Sequence, residues 1–586
     1  MSEVTSVESP VPATQEEWEE TPDMFGAYPR LNEDQIATLL PGGSKRRVGV
    51  DEVLIREGER SDELFVILSG KVAIVTDDES GERRVLRVHG AGRFLGELGD
   101  LEGQPAFYTA VVVVEGEVLA VPTNRVRSLV AHDQVLSDLI LRAYLVRRSL
   151  LIGQRVGLRI IGSCFSPDTA RLREFAARNR LPHRWLDLER DPNAERLLHR
   201  FGIPPEDTPV VIWGTRVLSN PSNAELARVV GLTVPDVISD ERDVIVVGAG
   251  PAGLGAAVYG ASDGLRTVAI ERIAVGGQAG TSSRIENYLG FPAGISGSDL
   301  AERAFLQADK FGARVSVSGE ATRLEYDGGQ LQITFADDTV AVGRSAVLAT
   351  GARYRRLAVP GIDAFHGDGV YYAATYQEAL LCGDGPVVIV GAGNSAGQAT
   401  VFLAAQVSRV YLLVRGDDLG KSMSRYLVDQ IVQHPRVTVR LHTEVREVHG
   451  DKALNCIVAE NNQTGERESI NARALFVFIG ADPNTEWLAG TVGLDDHGFI
   501  ETGQAAANHI AGADGLATVR HPVYLETSVP GVFAAGDVRS GSVKRVASAV
   551  GEGAMAIRQI HEYFGTSSGA VAPRGRTPFG NTQPTT

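Results

Sequence analysis

Residues 243–271 read DVIVVGAGPAGLGAAVYGASDGLRTVAIE, which is an apolar β-type run, a glycine-rich turn, a helical stretch and a second apolar run. Gly248 allows a tight turn, Gly250 lets the backbone approach a pyrophosphate, and Gly253 allows a helix to pack closely on a strand. Glu271 ends the second run 21 residues after Gly250, where its carboxylate can accept a hydrogen bond from a ribose hydroxyl. The stretch therefore predicts a Rossmann-type unit suited to FAD. Its predicted FAD contacts are Gly248, Gly250, Pro251, Ala252, Gly253 and Glu271.

A second unit of this kind lies at residues 385–416, GPVVIVGAGNSAGQATVFLAAQVSRVYLLVRG. The position 21 residues after Gly393 is Val414, so the acidic residue is absent, and Arg415 follows it. A guanidinium without a neighbouring carboxylate favours a ribose 2′-phosphate, so NADPH is predicted here in preference to NADH. The predicted NADPH contacts are Gly391, Gly393, Asn394, Ser395, Ala396, Arg415, Lys421, Arg425 and Gly480. For Lys421 and Arg425, a role as solvated surface cations is an equally open alternative.

Three further motifs accompany these units: LATGA (348–352), FVFIGADPNT (476–485) and ETSVPGVFAAGDVRSGSVKRVASAVGEGAMAI (526–557). Together with the two turns, they resemble the thioredoxin reductase group of flavoproteins over residues 243–564. The resemblance implies a homodimer and a discontinuous FAD-binding domain, 240–357 and 486–565, around an NAD(P)H-binding domain at 358–485. The further FAD contacts that it implies are Gly277, Gln278, Asn287, Thr350, Gly351, Gly536, Asp537, Arg545, Val546 and Ala547.

The redox motif of that group departs from its usual form. The group carries CATC where residues 373–376 of this chain read AATY. The side chains of Ala373 and Tyr376 cannot undergo thiol–disulfide exchange, so the usual dithiol relay cannot operate in this polypeptide. Cys382, six residues beyond Tyr376, is expected to be a structural or surface thiol.

Three hypotheses follow for the path that the electrons take from the flavin. In the preferred one, NADPH-reduced flavin delivers them directly to an external acceptor, either a small molecule such as a quinone or a thioredoxin-like or ferredoxin-like protein. Tyr376 would then lie at the flavin face. In the second, the chain is a thioredoxin-disulfide reductase that uses Cys164 as a lone thiol. In the third, it is a regulatory flavoprotein in which turnover is incidental.

Residues 48–121 contain short β-type runs punctuated by glycines, with helical stretches on both sides, which predicts a small barrel or jelly roll. IREGERSDELFVILSGKVAIV and GRFLGELGDLEGQPAFYTAVV are similar to the cyclic-nucleotide-binding domain. That resemblance implies a ligand pocket at Gly96, Glu97 and Leu98, in which backbone N–H groups contact the cyclic phosphate and Glu97 contacts the ribose hydroxyl. The family expects Pro-Arg where this chain has Pro105-Ala106, so a scaffold with weak or no nucleotide binding is favoured over a working sensor.

Residues 158–230 alternate between strand and helix in the order β-α-β-α-β-α, which resembles the thioredoxin/glutaredoxin fold. The resemblance implies a cis peptide bond before Pro209. Where that family carries CxxC, this chain has Cys164-Phe165-Ser166-Pro167, so at most one thiol remains. A structural cysteine in a docking domain is favoured over a redox role.

The composition limits the class of protein. With 586 residues, a formal charge of −16 and widely spaced cysteines at 164, 382 and 456, the chain predicts a multidomain α/β protein without a nucleic-acid-binding surface or a metal site. No membrane span or signal peptide is expected, which predicts a cytoplasmic protein. The predicted domains are a disordered N-terminus (1–25), the cyclic-nucleotide-binding-like domain (26–150), the thioredoxin-like domain (151–236), the two cofactor domains given above and a disordered tail (566–586).

Overall fold

The computed structural model describes residues 18–77, 83–96, 103–233, 241–282, 284–317, 319–327, 330–365, 369–372, 374, 378–379, 382–451, 453–510 and 521–567. The predictions for Glu97, Leu98, Ala373 and Tyr376, and for most of the two terminal segments, lie outside these residues.

The first domain is an antiparallel sheet with helices at its two ends. The long strands β3 and β5 pair along most of their length, and the strands are arranged β1-β5-β3-β4 with β2 on β5. Among the described residues, β1 and β4 do not pair with each other, so the predicted barrel or jelly roll takes the form of an open sheet. The elements are α1 (Glu33–Leu39), β1 (Ser44–Val48), β2 (Val53–Ile55), β3 (Glu63–Asp77), β4 (Arg83–His89), β5 (Thr109–Pro122), α2 (Thr123–His132) and α3 (Gln134–Gln154).

The second domain is a mixed sheet with helices on its faces, in the strand order β7-β6-β8-β9. Its elements are β6 (Leu158–Gly162), α4 (Pro167–Arg178), β7 (His183–Asp187), α5 (Pro192–Phe201), β8 (Val210–Trp213), β9 (Arg216–Ser219) and α6 (Asn223–Val229). The Thr208–Pro209 peptide bond is cis, as the resemblance implied. The sequence-based prediction lacked β9, because this strand is four residues long with exposed ends and forms a hairpin with β8.

The FAD-type sheet has a parallel core, β12-β11-β10-β15, which the antiparallel strands β14 and β13 extend. Strand β26, from the far end of the chain, joins it beside β15, so this domain is built from two separate segments. Its elements are β10 (Arg242–Val247), α7 (Pro251–Ser262), β11 (Thr267–Glu271), α8 (Gly297–Lys310), β12 (Arg314–Val317), β13 (Ala321–Asp327), β14 (Gln330–Phe335), β15 (Val340–Leu348), β26 (Val532–Ala534) and the helices α11 (Gln504–Ile510) and α12 (Val546–Ser567).

The inserted domain has a parallel sheet in the order β17-β24-β18-β19-β20 and an antiparallel meander, β21-β22-β23. Strands β16 (Ala352–Tyr354) and β25 (Ala481–Pro483) pair as a ribbon where the chain crosses between the two Rossmann-type domains. The other elements are β17 (Val370–Tyr371), β18 (Val387–Val390), α9 (Asn394–Ala404), β19 (Val410–Leu413), α10 (Arg425–Gln433), β20 (Val437–Arg440), β21 (Thr443–Gly450), β22 (Leu454–Asn461), β23 (Arg467–Asn471) and β24 (Ala474–Val477).

The first domain contacts the second, and the second contacts the FAD-type domain, through specific residues. The ring of Phe107 stacks on Trp213, with centroids 5.1 Å apart, and both belong to one buried cluster with Val317 of β12. Arg180 forms ion pairs with Asp299 and Glu302 on α8. In the described part of the chain, no helix has both the length and the apolar character that crossing a membrane requires.

Candidate functional site

The first glycine-rich turn lies between β10 and α7. Gly248 has a φ of +101°, which favours glycine. A Cβ on Gly253 would overlap the carbonyl oxygen of Gly248, so only glycine lets α7 begin this close to the turn. Above Gly250 there is space, because the nearest atom to a Cβ there would be Cα of Gly277 at 3.8 Å. The turn therefore has the close packing below and the open space above that a pyrophosphate requires.

Glu271 supports this turn from the end of β11. Its Oε2 accepts a hydrogen bond from the Ala249 N–H at 2.8 Å, and its Oε1 accepts one from the Ile273 N–H at 3.0 Å. These bonds hold the carboxylate beside the turn, where a ribose hydroxyl would lie.

The remaining FAD-type motifs reach the same turn to different extents. A Cβ on Gly277 would lie 3.0 Å from Cα of Gly250, so the loop at 276–278 comes close to one side of the turn. The Gln278 side chain donates to the Ala352 carbonyl at 3.4 Å. Thr350 and Asn484 exchange side-chain-to-backbone hydrogen bonds of 2.9 and 2.8 Å. Gly351 follows in the same loop, whereas Asn287 is exposed and no described contact brings it to the turn.

The motif at residues 526–557, called the closing motif below, places Gly536 against the start of α7. A Cβ on Gly536, whose φ is +79°, would lie 2.8 Å from the Cβ of Ala252. Burial raises the pKa of the adjacent Asp537 carboxyl, with Lys544 opposing and Glu552 reinforcing the shift. Arg545 immediately precedes α12, and its N–H donates to the Val543 carbonyl oxygen at 2.7 Å. Val546 and Ala547 begin the helix with half-buried and exposed side chains, and first-turn amides have no partner within a helix.

A buried ion pair that sequence reasoning missed fixes this motif. Glu552 Oε2 accepts the Gly536 N–H at 2.7 Å, and Glu552 Oε1 pairs with Arg539 at 2.5 Å. Both residues fall within the closing motif quoted from the sequence, but a charged pair 13 residues apart gives no local signal. Helix α12 also crosses α7 at glycines, since a Cβ on Gly553 would overlap the Ala252 carbonyl oxygen.

The second glycine-rich turn, in the inserted domain, has the same left-handed backbone and close packing as the first. Gly391 has a φ of +140°, and a Cβ there would overlap the Phe478 carbonyl oxygen. No atom lies within 4 Å of a Cβ position on Gly393 in the described structure, so the space above the start of α9 is open. Asn394 accepts a hydrogen bond from the Ser424 N–H at 2.7 Å, which ties α9 to the segment before α10. Ser395 and the buried Ala396 follow in the first turn of α9, and Gly480 is exposed beside the β16–β25 ribbon.

The three cations proposed near NADPH differ in their partners. Lys421 pairs with Asp417 at 2.7 Å and Arg425 pairs with Asp429 at 3.0 Å, all on exposed side chains. Arg415 is exposed, and no ion pair of its guanidinium occurs within the described ranges. Arg415 therefore has the guanidinium most available to an anion, and the other two are accounted for by surface ion pairs.

The cysteines lie apart from one another, and two of them are in surroundings that disfavour a thiolate. Cys382 is buried in the core of the inserted domain beside Ala374; burial, and then the charge of Glu378, raise the pKa of its thiol to about 12. Cys164 precedes α4, and desolvation followed by the charges of Asp187 and Glu189 raises its thiol pKa. Neither thiol has the electropositive setting that activates a cysteine.

The predicted cyclic-nucleotide pocket of the first domain departs from the family's pattern at Gly96, whose backbone groups bond within the protein. The Gly96 N–H donates to the Tyr108 hydroxyl at 3.0 Å, and the Gly96 carbonyl accepts from Arg147 at 2.6 Å. The backbone donor that the family's resemblance assigns to a cyclic phosphate is therefore engaged within the protein.

Two dinucleotide turns, the second inserted into the domain of the first, define an NAD(P)H-dependent flavoprotein oxidoreductase. The sequence profile of the pyridine nucleotide-disulphide oxidoreductases matches residues 242–553, and that of the cyclic nucleotide-binding domain matches residues 45–133. The chain belongs to the pyridine nucleotide-disulphide oxidoreductase family and is of the thioredoxin reductase type.

Relatives and solved structures agree on this type. The "34.2 kDa protein in rubredoxin operon" of Clostridium pasteurianum is 31% identical over 325 residues, which are 56% of this chain and 98% of that protein. The thioredoxin reductase of Treponema pallidum is 34% identical over 56% of this chain and 98% of its own length. The thioredoxin reductase structure from Lactococcus lactis covers 56% of this chain and 100% of its own, with 27% identity and a TM-score of 0.50.

The residues present fit FAD and a nicotinamide nucleotide. At both turns, the glycines leave space above the helix N-terminus and fill the space below it. FAD would be held by the first turn, Glu271 and the closing motif, and the nicotinamide nucleotide by the second turn.

Proposed function

We propose that this protein is an NADPH-dependent FAD oxidoreductase that passes electrons from its flavin directly to an external acceptor, without a dithiol of its own. The acceptor class is a thioredoxin-like or ferredoxin-like redox protein or a quinone. Bound FAD would supply hydride acceptance from the nicotinamide and electron delivery to the acceptor. The chain's own residues bind and orient the two cofactors, and we propose a homodimer as the assembly.

The observation that carries this proposal is the state of the thiols. Residues 373–376 contain no cysteine, and Cys382 in the same domain is buried with a thiol pKa of about 12. At neutral pH, a thiol with that pKa is almost wholly protonated, and a protonated thiol is neither a nucleophile nor a leaving thiolate. The other cysteine of the NAD(P)H-binding domain, Cys456, lies in β22 and is also a free thiol, so this domain offers no paired thiols for a disulfide relay.

The preference for NADPH rests on the surroundings of the second turn. Gly391 N–H donates to the Leu413 carbonyl at 3.1 Å, so the end of β19 lies beside the turn and Arg415 follows two residues later. Val414 provides no carboxylate to repel a 2′-phosphate, whereas the first unit has Glu271 at the matching position.

Thioredoxin-disulfide reduction is the second candidate, because several relatives carry the name thioredoxin reductase. In this chain it would depend on Cys164, at the position of the redox thiol in a thioredoxin-like fold. The negative field of Asp187 and Glu189 disfavours its thiolate, which makes this candidate the weaker one.

The deciding experiment is anaerobic reduction of the purified yellow protein by NADPH and by NADH, followed by mixing with single acceptors. We expect fast flavin bleaching by NADPH, reoxidation by a quinone or an iron–sulfur protein, and no turnover with thioredoxin and a disulfide reporter. Cys164→Ser and the control Cys456→Ser should both behave as the parent. Thioredoxin turnover that Cys164→Ser abolishes would establish the second candidate. Bleaching followed by negligible turnover with every acceptor would favour a regulatory flavoprotein.

A further inference from the structure

A small cavity lies in the first domain, lined by residues of the sheet, of α3 and of the N-terminal segment (residues 18–31). Its volume is about 20 Å³, enough for one water-sized species. Its polar lining comes from Tyr28, His89, Gly96, Tyr108 and Arg147, and the rest of its lining is apolar. The cavity is distant in sequence from both dinucleotide turns, and the flavin chemistry proposed above does not use it.

Arg147 supplies a buried positive charge at this cavity. The residue is 4% exposed, and its guanidinium donates to the carbonyl oxygens of Ala27 at 2.7 Å, Gly96 at 2.6 Å and Phe94 at 3.1 Å. Within the described part of the chain, no carboxylate pairs with it. Carbonyl dipoles satisfy N–H donors but leave the net charge uncompensated, and a buried charge without a counter-charge is costly.

Two further buried guanidiniums add to the positive potential. Arg87 stacks over the ring of Tyr28 at 4.2 Å, and Arg93 is also buried. Two acidic groups of the N-terminal segment lie near the cluster: Glu20 is shared between Arg93 at 3.0 Å and Arg30 at 2.6 Å, and Asp23 accepts the Tyr28 N–H at 2.7 Å. The cluster therefore holds more positive than negative charge among the described residues.

His89 lines the cavity with an unused polar atom. It is 2% exposed, and its Nδ1 has no hydrogen-bond partner in the described structure. Burial, and then the charges of Arg147, Arg93 and Arg87, hold its pKa well below the usual value. The field that disfavours a second cation at this position favours an anion, and neutral imidazole can donate from Nδ1.

The small volume of this cavity and the hydrogen bonding of Gly96 distinguish it from a working nucleotide site. The Gly96 N–H that would contact a cyclic phosphate donates to Tyr108, and Tyr28 of the N-terminal segment also lines the cavity. Pockets for drug-sized ligands measure roughly 300–1,000 Å³, more than ten times this volume.

We propose that this cavity binds one small inorganic monoanion of about the size of chloride, held between the Arg147 guanidinium and Nδ1–H of His89. The anion neutralises the buried arginine and connects the N-terminal segment, β4 and α3. The guanidinium comes from α3, after the strands, and not from the Ala106 position where a nucleotide-binding domain would carry one.

The test uses the full-length holoprotein at a constant ionic strength of about 0.15 M, with chloride exchanged for gluconate, which is too large to enter. Calorimetric unfolding and ³⁵Cl line width report binding, and anomalous diffraction from bromide-soaked crystals locates the ion. We expect saturable stabilisation by chloride and a bromide peak within hydrogen-bonding distance of Arg147 and His89. Arg147→Met should raise the half-saturating chloride concentration about tenfold or more, because a charge-assisted hydrogen bond is lost. Arg84→Met, on the exposed part of β4, should match the parent.

If Arg147→Met fails to fold, His89→Phe provides the second variant, since it keeps the guanidinium, fills the cavity and should abolish the chloride response. A chloride response that is unchanged in His89→Phe would overturn the assignment. So would bromide density without saturation in solution, which would indicate an adventitious ion only. Cyclic AMP that competes with chloride would identify a nucleotide site instead. A response that appears only in Glu97→Gln would show that the protein supplies its own counter-ion.

Discussion

Replacing Arg415 by alanine is expected to weaken NADPH binding while leaving NADH binding unchanged. Leu413 accepts the Gly391 N–H, and the Arg415 carbonyl is held by Asn462 at 3.1 Å, so the backbone beside the turn is fixed. Only the guanidinium is free to meet a 2′-phosphate, and its removal should not disturb the turn.

The size of the effect follows from the exposure of Arg415. A hydrogen bond to a charged group contributes about 1.5–3 kcal/mol, and solvent screening at an exposed arginine favours the lower part, about 1.5–2 kcal/mol. At about 1.36 kcal/mol per decade, this corresponds to a loss of roughly 10- to 30-fold in NADPH affinity. The loss should shrink at high salt, because the contact is screened.

The assay is anaerobic stopped-flow reduction of the flavin at a series of NADPH and NADH concentrations, which yields a dissociation constant for each nucleotide. Lys421→Met is the matched control. Because Lys421 already pairs with Asp417 on the exposed surface, its removal should change NADPH affinity less than about threefold. Equal losses for the two nucleotides in Arg415→Ala, or no loss for either, would refute the assignment of a 2′-phosphate to this arginine.

Three further outcomes are expected. Gly253→Ala should yield protein with little bound flavin, because a Cβ there overlaps the backbone of the turn, whereas Gly551→Ala, with open space around it, should keep full flavin content by absorbance. Arg539→Met should lower the free energy of unfolding by about 3 kcal/mol in denaturant titrations, since it leaves a buried carboxylate unpaired; a change below about 1 kcal/mol would contradict this. Glu189→Gln should lower the pKa of the Cys164 thiol, because one of the charges that raises it is removed, so alkylation at a fixed mildly alkaline pH should accelerate. An unchanged pH profile would show that Glu189 does not contribute to the raised pKa.

The features that sequence reasoning found are those with local causes. Each glycine-rich turn needs left-handed backbone and close packing within a few residues, so its signal lies in one short stretch, as at Gly248 and Gly391. The strand β9 was not predicted, because a four-residue hairpin strand with exposed ends lacks the alternation of buried and exposed residues that indicates a strand.

The features that it missed arise from contacts between residues distant in sequence. Arg147 reaches the Gly96 carbonyl from 51 residues away, and nothing in the composition of α3 distinguishes this buried arginine from the exposed Arg142 of the same helix. The buried pair of Arg539 and Glu552 similarly depends on how α12 returns across α7. The pKa of Cys164 is raised because the end of β7 lies beside the start of α4, and the order of elements along the chain does not predict this proximity.

The docking of the first two domains also restricts how they can influence the flavin. Phe107 and Trp213 are almost fully buried where they stack, and Val317 of the FAD-type domain belongs to the same cluster. Exposing the two aromatic side chains would cost about 2–3 kcal/mol each. This cost applies to separating the first domain from the second, which is therefore an unfavourable way to signal. A ligand in the first domain would act more cheaply through contacts that stay in place, such as the Arg148 guanidinium of α3 over the Phe107 ring and the Arg180 ion pairs with α8.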